Sequence, residues 1–135
     1  MPSIFTRIIN GELPGHFVWR DDLCIAIMTI APLKPGHVLV IPREEIDHWL
    51  DLPQALLTHL HQTAQTISKA LQTVYQPKKV GLMIAGLEVP HVHLHLVPID
   101  QVHDLDFKNA TETDATQLAA EANKIQAALA EQSST

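Results

Sequence analysis

The sequence is poor in cysteine. Cys24 is the only one, so no intramolecular disulfide can form and a reducing compartment is expected. Its neighbours, Asp22-Leu23-Cys24-Ile25-Ala26, read as a strand carrying a small buried thiol. Positive charge is scarce as well. Lys and Arg number 9 against 15 Asp and Glu, a formal net charge of -6, and the pI is about 5.8, which excludes a basic surface broad enough for a polynucleotide backbone. No apolar run approaches the ~18 residues of a membrane span. The start, Met1-Pro2-Ser3-Ile4-Phe5-Thr6-Arg7, has no basic segment followed by an apolar one. A cytoplasmic protein with neither membrane nor polynucleotide partners is expected. Repeats, low-complexity tracts and linkers are missing from the first hundred residues, and a chain of 135 residues that is 46% apolar suits one compact domain.

What is present is well-punctuated periodicity. Ser3 caps a short helix through Ile9 that Asn10-Gly11 ends, and Pro14-Gly15 turns the chain into a strand from His16 to Arg20. Asp21-Asp22 makes a hairpin turn into Leu23–Ile30, and a loop over Pro32-Leu33-Lys34-Pro35-Gly36 leads to a buried strand, His37 to Ile41. Arg43 to His48 reads as the polar start of a short helix. From Pro53, apolar residues at Leu56, Leu60, Ala64, Ile67, Leu71 and Val74 mark one face of the main helix, which Pro77 stops. Strands follow at Val80–Ala85 and His91–Val97, residues 100–111 are irregular, and Leu118, Ala122, Ile125 and Leu129 stripe an Ala-rich second long helix. Close hairpins and few crossovers give an α+β fold with a five-stranded antiparallel sheet, one main helix and an additional C-terminal helix.

The chemistry gathers in His91-Val92-His93-Leu94-His95-Leu96-Val97. Strict alternation on a strand places the three imidazoles on one face and Val92, Leu94 and Leu96 on the other. A row of satisfied structural histidines is the bland reading, but each buried ring would need its own hydrogen-bond partner. A metal site is a second reading. Residues i and i+4 on a strand lie about 13 Å apart, so only two of the row could share one ion, with His37 as a third ligand. His59 and His61, two apart on a helix, point in different directions, and His16 and His103 stand alone.

The row resembles the His-φ-His-φ-His-φ-φ signature of the histidine triad (HIT) family, φ being apolar. Ile4-Phe5-x-x-Ile8-Ile9-Asn10-Gly11-Glu12-Leu13-Pro14 resembles the family's opening helix and turn, and Pro35-Gly36-His37-Val38-Leu39-Val40-Ile41-Pro42 resembles its third strand. The likeness is to small bacterial Hint-like members and spans residues 3–99. It implies a HIT domain over 1–100, with 101–135 a loop and an amphipathic helix packed on it or on a second subunit. It also implies a homodimer that binds nucleoside phosphates, purines foremost, and needs no metal or organic cofactor. The implied reaction is nucleotidyl transfer or hydrolysis of nucleoside 5'-monophosphate derivatives, phosphoramidates or adenylates, through a covalent nucleotidyl-histidine. A weakly catalytic regulatory nucleotide-binding module and a dinucleoside polyphosphate hydrolase are alternatives.

By the same resemblance His93 is the nucleophile, His91 orients it, His95 donates to a phosphate oxygen or the leaving group, and His37 supports them from the neighbouring strand. Phe5, Ile8, Ile27 and Ile30 match positions that form the base cleft. Four positions depart from the family pattern. Thr29 stands where an acidic residue often holds the ribose, Val80 where a polar amide is common, and Leu87-Glu88 where Gln-Ser or Gln-Thr is often seen. A carboxylate at Glu88 beside an anionic substrate would repel it unless protonated, paired or turned away, or could supply a proton to a leaving amine.

Overall fold

A capped helix sets the chain's direction at its start. In the computed structural model, which describes residues 2–134, Ser3 Oγ accepts the Thr6 amide at 3.1 Å and opens α1, Ile4–Ile9. Residues 1 and 135, at the outer ends of the two expected segments, lie outside the described residues. Strands β1 (Phe17–Arg20) and β2 (Cys24–Met28) form a hairpin. Asp21 shapes its turn, since one carboxylate oxygen takes the amides of Leu23 and Cys24, both at 2.8 Å. Next come β3 (Val38–Pro42), the long α2 (Gln54–Tyr75), β4 (Lys79–Met83), β5 (Leu94–Ile99) and α3 (Ala115–Ser133). The five strands form one sheet in the order β1-β2-β3-β5-β4, every neighbouring pair antiparallel.

The two faces of this sheet bury different material. Cys24, Ala26, Met28, Val38, Val40, Leu94 and Leu96 meet Leu60, Ala64, Ile67 and Leu71 of α2 and Leu118, Ala122 and Ile125 of α3 in one core. Each fully buried branched side chain there contributes roughly 1.5–3 kcal/mol. The alternate residues Ile25, Ile27, Leu39 and Ile41 face the other way and pack under Phe5 of α1. His95 pairs with Leu39 across β3 and β5, which puts its ring on this second, more thinly covered face.

Several boundaries differ from those the sequence predicts. The last strand begins at Leu94 rather than His91 and runs on to Ile99. Its early residues have other partners: the His91 amide bonds the Val89 carbonyl, the Val92 amide bonds the Ile46 carbonyl, and the His91 carbonyl is taken by a side chain. Pro98 does not stop the strand, because β3 pairs only as far as Leu96 and the missing N–H leaves no ladder bond unmade on that side. No helix forms over Arg43–His48. Glu45 is drawn instead to the start of α1, and the helical turn comes later, as a short 3-10 segment at Trp49–Asp51. The stretch from 100 to 111 contains two such turns, Val102–Leu105 and Phe107–Asn109. Among the described residues no helix is long and apolar enough to cross a membrane.

Candidate functional site

All four histidines of the expected site lie buried on the α1 face, and their hydrogen-bond partners dictate where each proton sits. His91 Nε2 lies 2.8 Å from the Pro42 carbonyl and Nδ1 lies 2.7 Å from the Ser3 hydroxyl. A carbonyl only accepts, so Nε2 carries the proton and the Ser3 hydroxyl donates to Nδ1. Ser3 is itself anchored. Its amide bonds Glu45 Oε1 at 2.7 Å, and the Thr6 hydroxyl donates to the same oxygen at 2.7 Å. These bonds hold the Glu45 carboxyl below its ordinary range.

The His91 carbonyl then accepts from His93 Nδ1 at 2.7 Å. That fixes the proton of His93 on Nδ1 and leaves its Nε2 with a free lone pair. His37 passes a second constraint along. The Leu33 amide donates to His37 Nδ1 at 3.0 Å, so a neutral His37 must carry its proton on Nε2. That atom lies 3.0 Å from His95 Nδ1, which therefore accepts, and the proton of His95 is left on its own Nε2. The row thus presents a bare nitrogen on His93 beside an N–H on His95, with ring centroids 4.8 Å apart.

Burial keeps these rings neutral. It drives His37 down to about 4, helped by the proximity of His93, and His95 down to about 3, helped by His93 and His37. Burial also lowers His91 and His93, although the Pro42 and His91 carbonyls oppose it in each case. No member of the row needs to lose a proton before it can act at neutral pH.

Two unlike walls flank His93. Phe5 meets it edge-on at 4.9 Å and continues into the apolar layer of Ile27, Leu39 and Ile41, with half-buried Ile8 against it. On the other side a cavity of about 110 Å³ is bounded by the 85–88 turn, His93, His95 and Phe107. A larger hollow of about 760 Å³ lies between β1, α2 and α3, but no histidine, cysteine or acidic side chain lines it.

Of the remaining expected residues, Glu88 lines the small cavity, whereas Thr29 and Ile30 fall past the end of β2. The Thr29 amide bonds the His37 carbonyl and its hydroxyl accepts the Ala31 amide. Ile30 is 64% exposed and outside the Phe5 layer. Sequence reasoning missed Ser3 as a partner of His91, Glu45 as its anchor, and Phe107, whose ring meets His95 edge-on at 5.1 Å. Nothing in the local pattern of Glu45 or Phe107 signals these contacts, since both depend on segments far apart in the chain. Among the described residues, the group of metal-ligand types whose donor atoms lie within 4.8 Å of one another is Asp21, Cys24 and His59, away from the row. There Asp21 Oδ2 already holds the Trp19 indole at 2.8 Å and His59 Nε2 at 2.7 Å.

Known proteins share this fold. A HIT domain matches residues 10–102. An uncharacterized HIT-like protein of Borreliella burgdorferi is 34% identical over 116 residues, covering 81% of this chain and 84% of its own. A bifunctional bis(5'-adenosyl)-triphosphatase/adenylylsulfatase of Arabidopsis thaliana is 34% identical over 90 residues, 63% of this chain and 50% of that longer one. The crystal structure of a HIT-like protein from Bartonella henselae superposes with a TM-score of 0.83 at 32% identity, covering 93% of this chain and 95% of that one.

Proposed function

The chain belongs to the HIT family, and on that footing we propose that it is a nucleotide hydrolase acting on nucleoside 5'-monophosphate derivatives through a nucleotidyl-histidine intermediate. The observation that carries the reading is the pair of fixed tautomers, a lone pair on His93 Nε2 set beside an N–H on His95 Nε2. His93 Nε2 attacks the α-phosphorus, and the bond to the leaving group breaks. The leaving atom takes the proton of His95 Nε2, and that N–H also meets the charge building on phosphate oxygen beforehand. Water then attacks phosphorus, gives its proton back to His95, and releases the nucleoside monophosphate with His93 restored. The Phe5, Ile8 and Ile27 side takes the base, and Thr29 offers the ribose one hydroxyl.

Phosphoramidates and adenylates suit the site because a leaving nitrogen or oxygen close to His95 needs only one proton to depart. The deciding experiment is His93→Ala with an adenosine 5'-phosphoramidate. Turnover and the acid-quenched nucleotidyl-protein adduct should both vanish while the circular dichroism spectrum is retained. Turnover at the wild-type rate would refute the nucleophile, and loss of the folded spectrum would be followed by His93→Gln, close in size and without a nucleophilic nitrogen.

A further inference from the structure

Resting on the hydrolase reading, we propose that Glu88 makes this site select substrates whose leaving group carries a positive charge, such as the phosphoramidate of a diamine or of an amino acid with a free amine. In-line displacement places the leaving group across the phosphorus from His93, and the walls of the site decide on which side it lies. The Phe5 wall is built of apolar side chains, and Arg20 stacks at 3.7 Å on Phe17, which packs against them. The opposite cavity holds His95, the proton donor of the proposed step, together with Glu88. Leaving groups therefore depart past the Glu88 carboxylate.

The electrostatics of that exit are one-sided. Among the described residues no lysine or arginine lines the cavity, and Lys108, next in the chain to the lining residue Phe107, is not part of it. Glu88 is exposed, and the ion pair found among the described residues, His59 with Asp21, lies elsewhere. The charge of Glu88 also reaches the row, where it favours the protonated form of His93 against the effect of burial. A sulfate or nucleoside polyphosphate leaving group would bring further negative charge against this carboxylate with no cation to offset it. An ammonium-bearing amine would be attracted. The bonds made and broken are those of the proposed reaction, and Glu88 changes only which leaving group reaches them.

The test compares two adenosine 5'-phosphoramidates matched in length, one whose amine chain ends in an ammonium and one in which that end is acetylated. In wild type the kcat/KM ratio should favour the ammonium substrate by about fivefold at low salt and shrink in high salt. Glu88→Gln should bring the ratio close to one, and Glu88→Lys should invert it, whereas Glu44→Gln, outside the cavity lining, should keep the wild-type ratio. A ratio of one in wild type, or one unchanged in Glu88→Gln and Glu88→Lys, overturns the proposal and leaves the hydrolase reading standing. Absence of turnover of both substrates by the folded wild type overturns both.

Discussion

At the scale of single residues, the site is four imidazoles held neutral by burial and polarised by their partners. The alternation of His91, His93 and His95 was legible because a strand-like segment has a period of two. Their tautomers were not, because the Leu33 amide, the Pro42 carbonyl and the His91 carbonyl are main-chain groups that every residue but proline, or every residue, possesses. Neutral burial has a cost that appears in acid. An unfolded histidine titrates near 6.5, whereas folded His37 and His95 do so at about 4 and about 3. Between those values the unfolded chain binds more protons, so stability is complete above about pH 6.5 and falls as pH is lowered. One such group corresponds to about 2 kcal/mol between pH 7 and pH 5. Urea unfolding should show that loss, diminished in His95→Gln; equal stability at pH 7 and pH 5 would contradict it.

At the scale of elements, the third helix helps to place His37. The 32–36 loop reaches it through Gly36, whose φ of +88° favours glycine and whose Cβ, if present, would stand 2.5 Å from the Tyr75 ring. Glu121 of α3, buried, accepts the Gly36 amide at 2.8 Å and the Tyr75 hydroxyl at 2.7 Å, tying loop, main helix and tail together. Burial, reinforced by that carboxylate, pushes the Tyr75 hydroxyl far above its usual range, so it stays a donor. The stripe Leu118, Ala122, Ile125 was readable from helical spacing, but a carboxylate among alanines reads as solvent-facing. Only the meeting of three segments draws Glu121 inward. Glu121→Ala should destabilise the protein by roughly 1–3 kcal/mol for each buried donor left unpartnered, and it should lower kcat through the displaced His37. Tyr75→Phe, which removes one donor together with its need for a partner, should cost less in the same chemical denaturation measurement.

At the scale of the whole molecule, β4 ends the sheet with a strand neighbour on one side only, and Leu82 on that strand is 43% exposed, with Leu87 on the following turn 96% exposed. Open strand edges with apolar side chains tend to be covered by another chain. We propose that two copies of this chain associate there, forming the homodimer that the family resemblance implies. Light scattering at micromolar concentration should give twice the 15.0 kDa of one chain, and Leu82→Lys should halve it; a single-chain mass for the wild type would end the idea. The fixed tautomers have one more consequence. Which nitrogen of His93 and of His95 bears hydrogen is stored in the path of the chain past residues 91 and 33, through the His91 carbonyl and the Leu33 amide, not in the side chain at 33. Leu33 could therefore drift to any residue but proline without the catalytic nitrogens changing state, provided the loop keeps its course, and a search for important side chains would pass over one of the groups that arm the site.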